Sequence, residues 1–242
     1  MRIPVITGVI KRRLLVNFRA PPEVAQRMLP APFRPKLHLG HAIVGVCLIR
    51  LESLRPRGLP EMVGLSSENA AHRIAVEWID RQGVGREGVF IPRRDTGSIF
   101  TRVTGGRLFP GEHHLARFKA AEEAGRISLE VDSMDGEVKV RIVGRETGGW
   151  PASSCFSSVQ DSSAFFEAGS LGYSVTREAG RFDGLRLSTA EWRVSALEVE
   201  TAYSSYFSDS KLFPENAIAF DHALIMRDVR HEWHQEDDLR AV

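Results

Sequence analysis

The chain has 242 residues, enough for one large β-rich domain or two small ones and for a sizeable core. A hydrophobic content of 43%, a charged content of 26% and a formal net charge of +1 are those of a soluble globular protein with no electrostatic case for nucleic acid. Cys47 and Cys155 are too few for a disulfide framework or a cysteine-zinc site, and no apolar run approaches membrane-spanning length. Met1 to Ile10, interrupted by Pro4 and Gly8, lacks the order of a signal peptide, so a cytoplasmic, soluble chain is expected.

Lys11 to Phe18 alternates as a first strand with Leu14, Val16 and Phe18 on one face, and Lys11-Arg12-Arg13 is too short for a polybasic arm. Pro21-Pro22 starts a short helix over Glu23 to Leu29, stopped by Pro30 and Pro32. Leu37 to Gly40 is a brief strand or hairpin arm. The continuous apolar run Ala42 to Ile49 predicts a strand buried on both faces, where Cys47 is a small buried hydrophobe. Arg55 to Pro60 is a turn-rich loop.

Glu68 to Asp80 reads as extended, with His72, Ile74, Val76 and Trp78 on one face and Arg73 and Glu77 on the other. Glu68 joins the His72 face if the strand starts early enough; otherwise it sits in a loop with Ser66 and Ser67. Gly88 to Pro92 is a further strand. Asp95 or Thr96 then caps a helix carrying Ile99, Phe100 and Val103, which ends at Gly105-Gly106. Arg93 and Arg94 suit an anionic ligand, or a solvated loop with one ion pair to Asp95.

Pro110-Gly111 forces a sharp turn, and Glu112, His113 and His114 follow it at the mouth of a strand. Two imidazoles beside a carboxylate are candidates for acid/base chemistry. Successive strand residues face opposite ways, so at most one histidine enters any given pocket. Ile127-Leu129-Val131, Met134-Asp135-Gly136 and Val138-Val140-Ile142 form a β-hairpin. Ser157 or Ser158 caps a helix through Phe165-Phe166 that stops at Gly169. Strands then follow at Leu185 to Leu187, Trp192 to Phe207 and Phe220 to Trp233. The second shifts phase between Ala196 and Leu197 and the third near Asp228, as bulged strands in a curved sheet do. His231-Glu232-Trp233-His234 is one residue short of the zinc-helix spacing and is not a metal motif. Many strands, three short helices and no composition break predict a mostly β chain in one domain over residues 1–242. A closed, mostly antiparallel sheet with peripheral helices is expected.

Gly106-Arg107-Leu108, His113-His114-Leu115 and the hairpin at Asp135-Gly136 resemble acetoacetate decarboxylases. The whole chain is more similar to a bacterial family of that superfamily, the DUF2071 (YqjF-like) proteins. The matching stretches are Arg55 to Pro60, Phe109 to His114 and Gly169 to Ser174. The resemblance implies a cone-shaped β-barrel with an internal small-molecule site, usually in a homo-oligomer. It also implies that His113 and His114 stand where the decarboxylases carry a lysine pair, so the Schiff-base nucleophile is missing. Glu68 matches the family's glutamate, and the arginine for the substrate carboxylate falls near Lys11 or Arg12, to within about one residue.

A barrel that binds a small keto-carboxylate without decarboxylating it is therefore expected, with Arg12, His72, Arg73, Arg93, Arg94 and Glu112 as candidate ligand-binding residues. The alternative is an enzyme in which His113, His114 and Glu68 act as general acid/base on a small keto acid, as a lyase, a hydratase or in aldol-type chemistry. A metal held by one of these histidines with Glu68 and His72 has too few ligands, and no cofactor, metal, nucleic acid or membrane partner is expected.

Overall fold

A computed structural model describes residues 4–104 and 111–241. Chain order runs β1 (Ile6–Ala20), α1 (Pro22–Gln26), β2 (Arg34–Pro35), β3 (Leu37–His38), β4 (His41–Pro56), a 3-10 turn (Glu61–Val63), β5 (Leu65–Ile79) and β6 (Gly85–Thr96). It continues with α2 (Ile99–Thr104), β7 (His114–Glu123), β8 (Arg126–Ser133), β9 (Lys139–Arg145), α3 (Val159–Ala168), β10 (Leu171–Val175), β11 (Arg181–Thr189), β12 (Ser195–Ser204) and β13 (Ala219–Arg240). Among the described residues no helix is long and apolar enough to cross a membrane.

Strand pairing runs in a ring: β13 to β1, β4, β5, β6, β10 and β11, and from β11 back to β13. A second path leaves β6 through β7, β8, β9 and β12 and rejoins at β13. β1, β4 and β5 therefore carry a layer on each face. This is why Ala42 to Ile49 reads as unbroken apolar sequence. Leu14, Val16, Val46, Leu48 and Ile74 face a core shared with the β8–β9 hairpin. Leu15, Ile43, Cys47, Ile49 and Leu51 face a second core that includes Phe156 and Phe166.

The sheet is mixed, which corrects the antiparallel expectation at two places: β6 pairs in parallel with both β7 and β10. Both joins are short, because each strand meets only part of β6, over Asp95 and Thr96 and over Val89 to Ile91. The phase shift in β12 has a simple origin. Ser195 to Leu197 pair with β13 and the residues after them pair with β9, so Ala196 and Leu197 are both buried. Asp228 takes a positive φ of 53°, a local backbone irregularity where the last strand's phase shift was expected, although its pairing with β1 passes through it without a change of register.

The helices differ more from expectation. α1 ends at Gln26, well before Leu29. α2 is capped by Ser98, whose hydroxyl accepts the Thr101 N–H at 3.1 Å, whereas Asp95 and Thr96 close strand β6. Its Ile99, Phe100 and Val103 are exposed while Thr101 is buried. The Gly105-Gly106 end of that helix, and the resemblance motif through Pro110, lie outside the described residues. α3 is capped by Ser158 as expected.

Candidate functional site

Inside the seven-strand ring lies a cavity of about 130 Å³, closed at one end by Phe166 of α3. Strand register dictates what faces it. On β1, β4, β5 and β6, three rows of residues stand side by side: Arg13, Ile49 and Asn69; Leu15, Cys47, Ala71 and Arg94; Asn17, Gly45 and Arg73. All of these but Asn17 and Gly45 line the cavity. A wider groove of about 810 Å³ beside β2 carries both signs of charge, from Arg34, Arg86, Glu77 and Glu87.

A bulge decides which of two adjacent arginines enters. His72 pairs with Arg93 and Ile74 with Phe90, so Ile91 and Pro92 together stand opposite Arg73 alone. That extra residue shifts the alternation by one, and Arg94 rather than Arg93 joins Val89 and Ile91 at the cavity. Proline has no ladder hydrogen to lose at such a position.

The cavity's charge is mostly positive, since the one carboxylate in its lining among the described residues, Asp95, is ion-paired with Arg93. Arg13, Arg73 and Arg94 make no ion pair among the described residues. Buried nitrogens of Arg13 (Nη1) and Arg73 (Nε) have no hydrogen-bond partner there. Arg73 lies 4.5 Å from the Phe166 ring centre and Arg13 lies 5.5 Å from that of Trp192, so each cation meets an aromatic face. Arg94 Nε donates to Ser174 Oγ at 2.8 Å. Burial pushes both Arg73 and Arg94 down to about 10, so each remains a cation at neutral pH.

His113 completes the lining. Gly111, at φ +85°, turns the chain here, and a Cβ on it would sit 2.5 Å from that of Ser174, so only glycine fits. Gly111 N–H donates to Asp183 at 2.9 Å and Glu112 N–H to the Val175 carbonyl at 3.0 Å, which anchors the turn to β10 and β11. His113 Nδ1 lies 3.2 Å from the Gly111 carbonyl, so Nδ1 carries the proton and Nε2 the lone pair. Burial, and then the neighbouring Arg94, lower its pKa to about 3, which keeps the ring neutral.

The other candidate residues lie elsewhere. Arg12, on the opposite face of β1, is held by both oxygens of Glu68 at 2.9 and 3.0 Å and by Glu122 at 2.6 Å. Arg93 is ion-paired with Asp95, Asp135 and Glu137. His72 is fully buried in the other core, bonded to Ser204 and packed on Tyr206 and Phe207. His114 points to Asp135 at 3.0 Å, and Glu112 lies 3.7 Å from Arg177. The cavity thus brings together Arg73, Arg94 and His113. Among the described residues no cluster of three metal-ligating side chains occurs.

Arg13 and Cys47 line the cavity without having been singled out. Arg13 had a signal: Leu14, Val16 and Phe18 fill one face, yet Leu15 is also apolar, so the Arg13–Leu15–Asn17 face is buried too. A further set, Asp221, His222, Ser162 and Asn17, lies beneath the cavity. His222 Nδ1 is 2.6 Å from Asp221, so its Nε2 accepts from Ser162 at 2.7 Å and from the Asn17 amide at 2.9 Å. That fixes the Asn17 oxygen toward Arg73, which donates to it. Although the order is serine, histidine, aspartate, all three are buried and none lines the cavity. The set orients Arg73.

A ring of strands around a small internal cavity, with helices at its margin, defines the class. The fold is that of acetoacetate decarboxylase-like proteins. An acetoacetate decarboxylase-like enzyme from Sphingomonas wittichii RW1 superposes with a TM-score of 0.61 at 11% identity, over 99% of this chain and 94% of that one. Acetoacetate decarboxylase from Legionella pneumophila gives 0.58 at 11% identity, over 98% and 88%. The enduracididine biosynthesis enzyme MppR, complexed with pyruvate, gives 0.57 at 11% identity, over 100% and 91%. No curated protein matches the sequence. The chain belongs to the DUF2071 family, described as an uncharacterized conserved protein, whose profile matches residues 9–223.

Proposed function

We propose that the cavity binds a small carboxylate, in the first instance a keto acid, and that the protein does not decarboxylate it through a Schiff base. One observation carries this reading: three arginines converge on one cavity and none has a carboxylate partner among the described residues. A buried, unpaired guanidinium is costly, and an anionic ligand that supplies the missing oxygens offsets that cost. Pyruvate in the structurally similar MppR fits the same size class. None of the five lysines lines the cavity. Lys11 pairs with Asp228, Lys36 with Glu87 and Lys119 with Glu130, so no amine is placed to condense with a bound ketone.

A second reading, turnover by general acid/base chemistry, is favoured by His113 in the same cavity, whose Nδ1 is engaged by the Gly111 carbonyl and whose Nε2 carries the lone pair. His114 and Glu68 face away from it and would act only through their neighbours. A cytoplasmic homo-oligomer belongs to the same proposal, and light scattering on the purified protein tests the assembly.

Thermal stability measured across a panel of pyruvate, acetoacetate and uncharged analogues, with borohydride added in parallel, tests the reading. The carboxylates raise the melting temperature, the uncharged analogues do not, and no covalent adduct forms. A borohydride-trapped lysine, or indifference to every carboxylate, overturns it.

A further inference from the structure

The two cysteines sit in opposite electrostatic settings. Cys155 lies beside Asp221, and burial together with that carboxylate pushes its thiol up to about 12. Cys47 lines the cavity, in the row between Leu15 and Ala71 and at the centre of the arginine face. Arg13 Nε donates to its sulfur at 3.3 Å. Arg13 and Arg73 each stand one strand over and two residues along from it, about 7–8 Å between Cβ atoms for such diagonal neighbours. Arg94 lies two strands away in the same row. Independently of the thiol, Arg73 points to a ligand. It is 4% exposed, it lines the cavity, and its Nε is unpartnered.

We propose that Cys47 is the nucleophile of this cavity, adding reversibly to the carbonyl carbon of a small keto or aldehyde acid whose carboxylate rests on the arginines. This rests on the carboxylate reading above and names its substrate class more closely. In the step, the sulfur lone pair forms the S–C bond and the C=O π pair moves to oxygen. The proton lost by sulfur ends on that oxygen, so thiol plus carbonyl gives a thiohemiketal and nothing else is consumed. Positive charge around the sulfur stabilises the negative charge that attack requires, and the guanidinium groups select an anionic electrophile over a neutral one.

The test uses the native protein and two alkylating probes, iodoacetate and iodoacetamide, with the modified residues located by peptide mass spectrometry. Cys47 should react ahead of Cys155, and iodoacetate should outpace iodoacetamide at Cys47 by about tenfold, an electrostatic preference that Arg13→Gln and Arg94→Gln each reduce. Pyruvate should protect Cys47. With carbonyl-labelled pyruvate, an sp3 carbon-13 resonance separate from that of free pyruvate hydrate should appear in the native protein and be absent in Cys47→Ser. If Cys47 stays unmodified by both probes while pyruvate still raises the melting temperature, the nucleophile is overturned and the carboxylate site stands. If Cys47 reacts no faster with iodoacetate than with iodoacetamide and pyruvate neither protects nor stabilises, both fall.

Discussion

Three pairs of neighbours in sequence, Arg12 and Arg13, Arg93 and Arg94, His113 and His114, are split by the sheet into two regions. Toward the β7–β9 layer, Arg12 meets Glu68 and Glu122, Arg93 meets Asp95, Asp135 and Glu137, and His114 meets Asp135. On the cavity side, Arg13 and Arg94 have aromatic, hydroxyl and thiol neighbours, and His113 has a backbone carbonyl. The same residue types thus serve structure on one face and are left available to a ligand on the other. The difference lies in which face the acidic partners occupy, not in the basic residues themselves.

The largest effect that sharpens this contrast is acid unfolding. His113 and His72 titrate near 3 and His231 near 4 in the folded chain, each lowered mainly by burial, against 6.5 when unfolded. Between those values the unfolded chain binds protons that the folded chain does not. Stability is therefore full above about pH 6.5 and falls as the pH drops toward 4. Each such histidine adds about 1.4 kcal/mol per pH unit to the slope. Urea denaturation from pH 7 to 4 checks this, and His113→Gln should flatten the slope by one such share.

Next comes a direct comparison of neighbours. Arg93→Met leaves Asp95 buried without its cation and should cost about 3–5 kcal/mol of unfolding free energy. Arg94→Met removes a half-buried cation that has no ion pair among the described residues, and should change stability by less than about 1 kcal/mol or raise it. Chemical denaturation of the two variants side by side reads the difference, and equal losses would break the distinction between the faces.

A smaller cost falls at Gly45. A Cβ there would lie 2.4 Å from the Val16 carbonyl and 3.3 Å from the Asn17 oxygen. Gly45→Ala should therefore destabilise by about 1–3 kcal/mol, as overpacking does, and weaken carboxylate binding by displacing Asn17. Smallest is Asn17→Ala, which removes one hydrogen bond to Arg73 and should weaken binding about fivefold, read by calorimetric titration with pyruvate.

Much of the fold was legible. Alternation located β5 and the β8–β9 hairpin, because side chains on a pleated strand must follow a period of two, and an unbroken apolar run marked β4 as buried on both faces. The cap of α3 and the backbone irregularity at Asp228 were legible for equally local reasons. The parallel joins at β6 were not, since two- and three-residue pairings leave no pattern in sequence. The site was only half legible. That one of His113 and His114 turns inward follows from the pleat, but which one depends on the Gly111 turn against Ser174. The choice of Arg94 over Arg93 depends on a bulge at Ile91-Pro92, a non-local pairing event. Arg13 was hidden by the short basic run it closes, and Cys47 by the apolar run around it.

The central claim is that the cavity is a cationic site lacking its own counter-ion. Calorimetric titration of pyruvate at low salt and neutral pH, into the native protein and into Arg94→Met, tests it most directly. Saturable binding by the native chain, weakened about 10- to 100-fold in the variant, is the predicted result, the loss of one or two charge-assisted hydrogen bonds. Equal affinity in both proteins, or no binding to the folded native chain, would contradict the account.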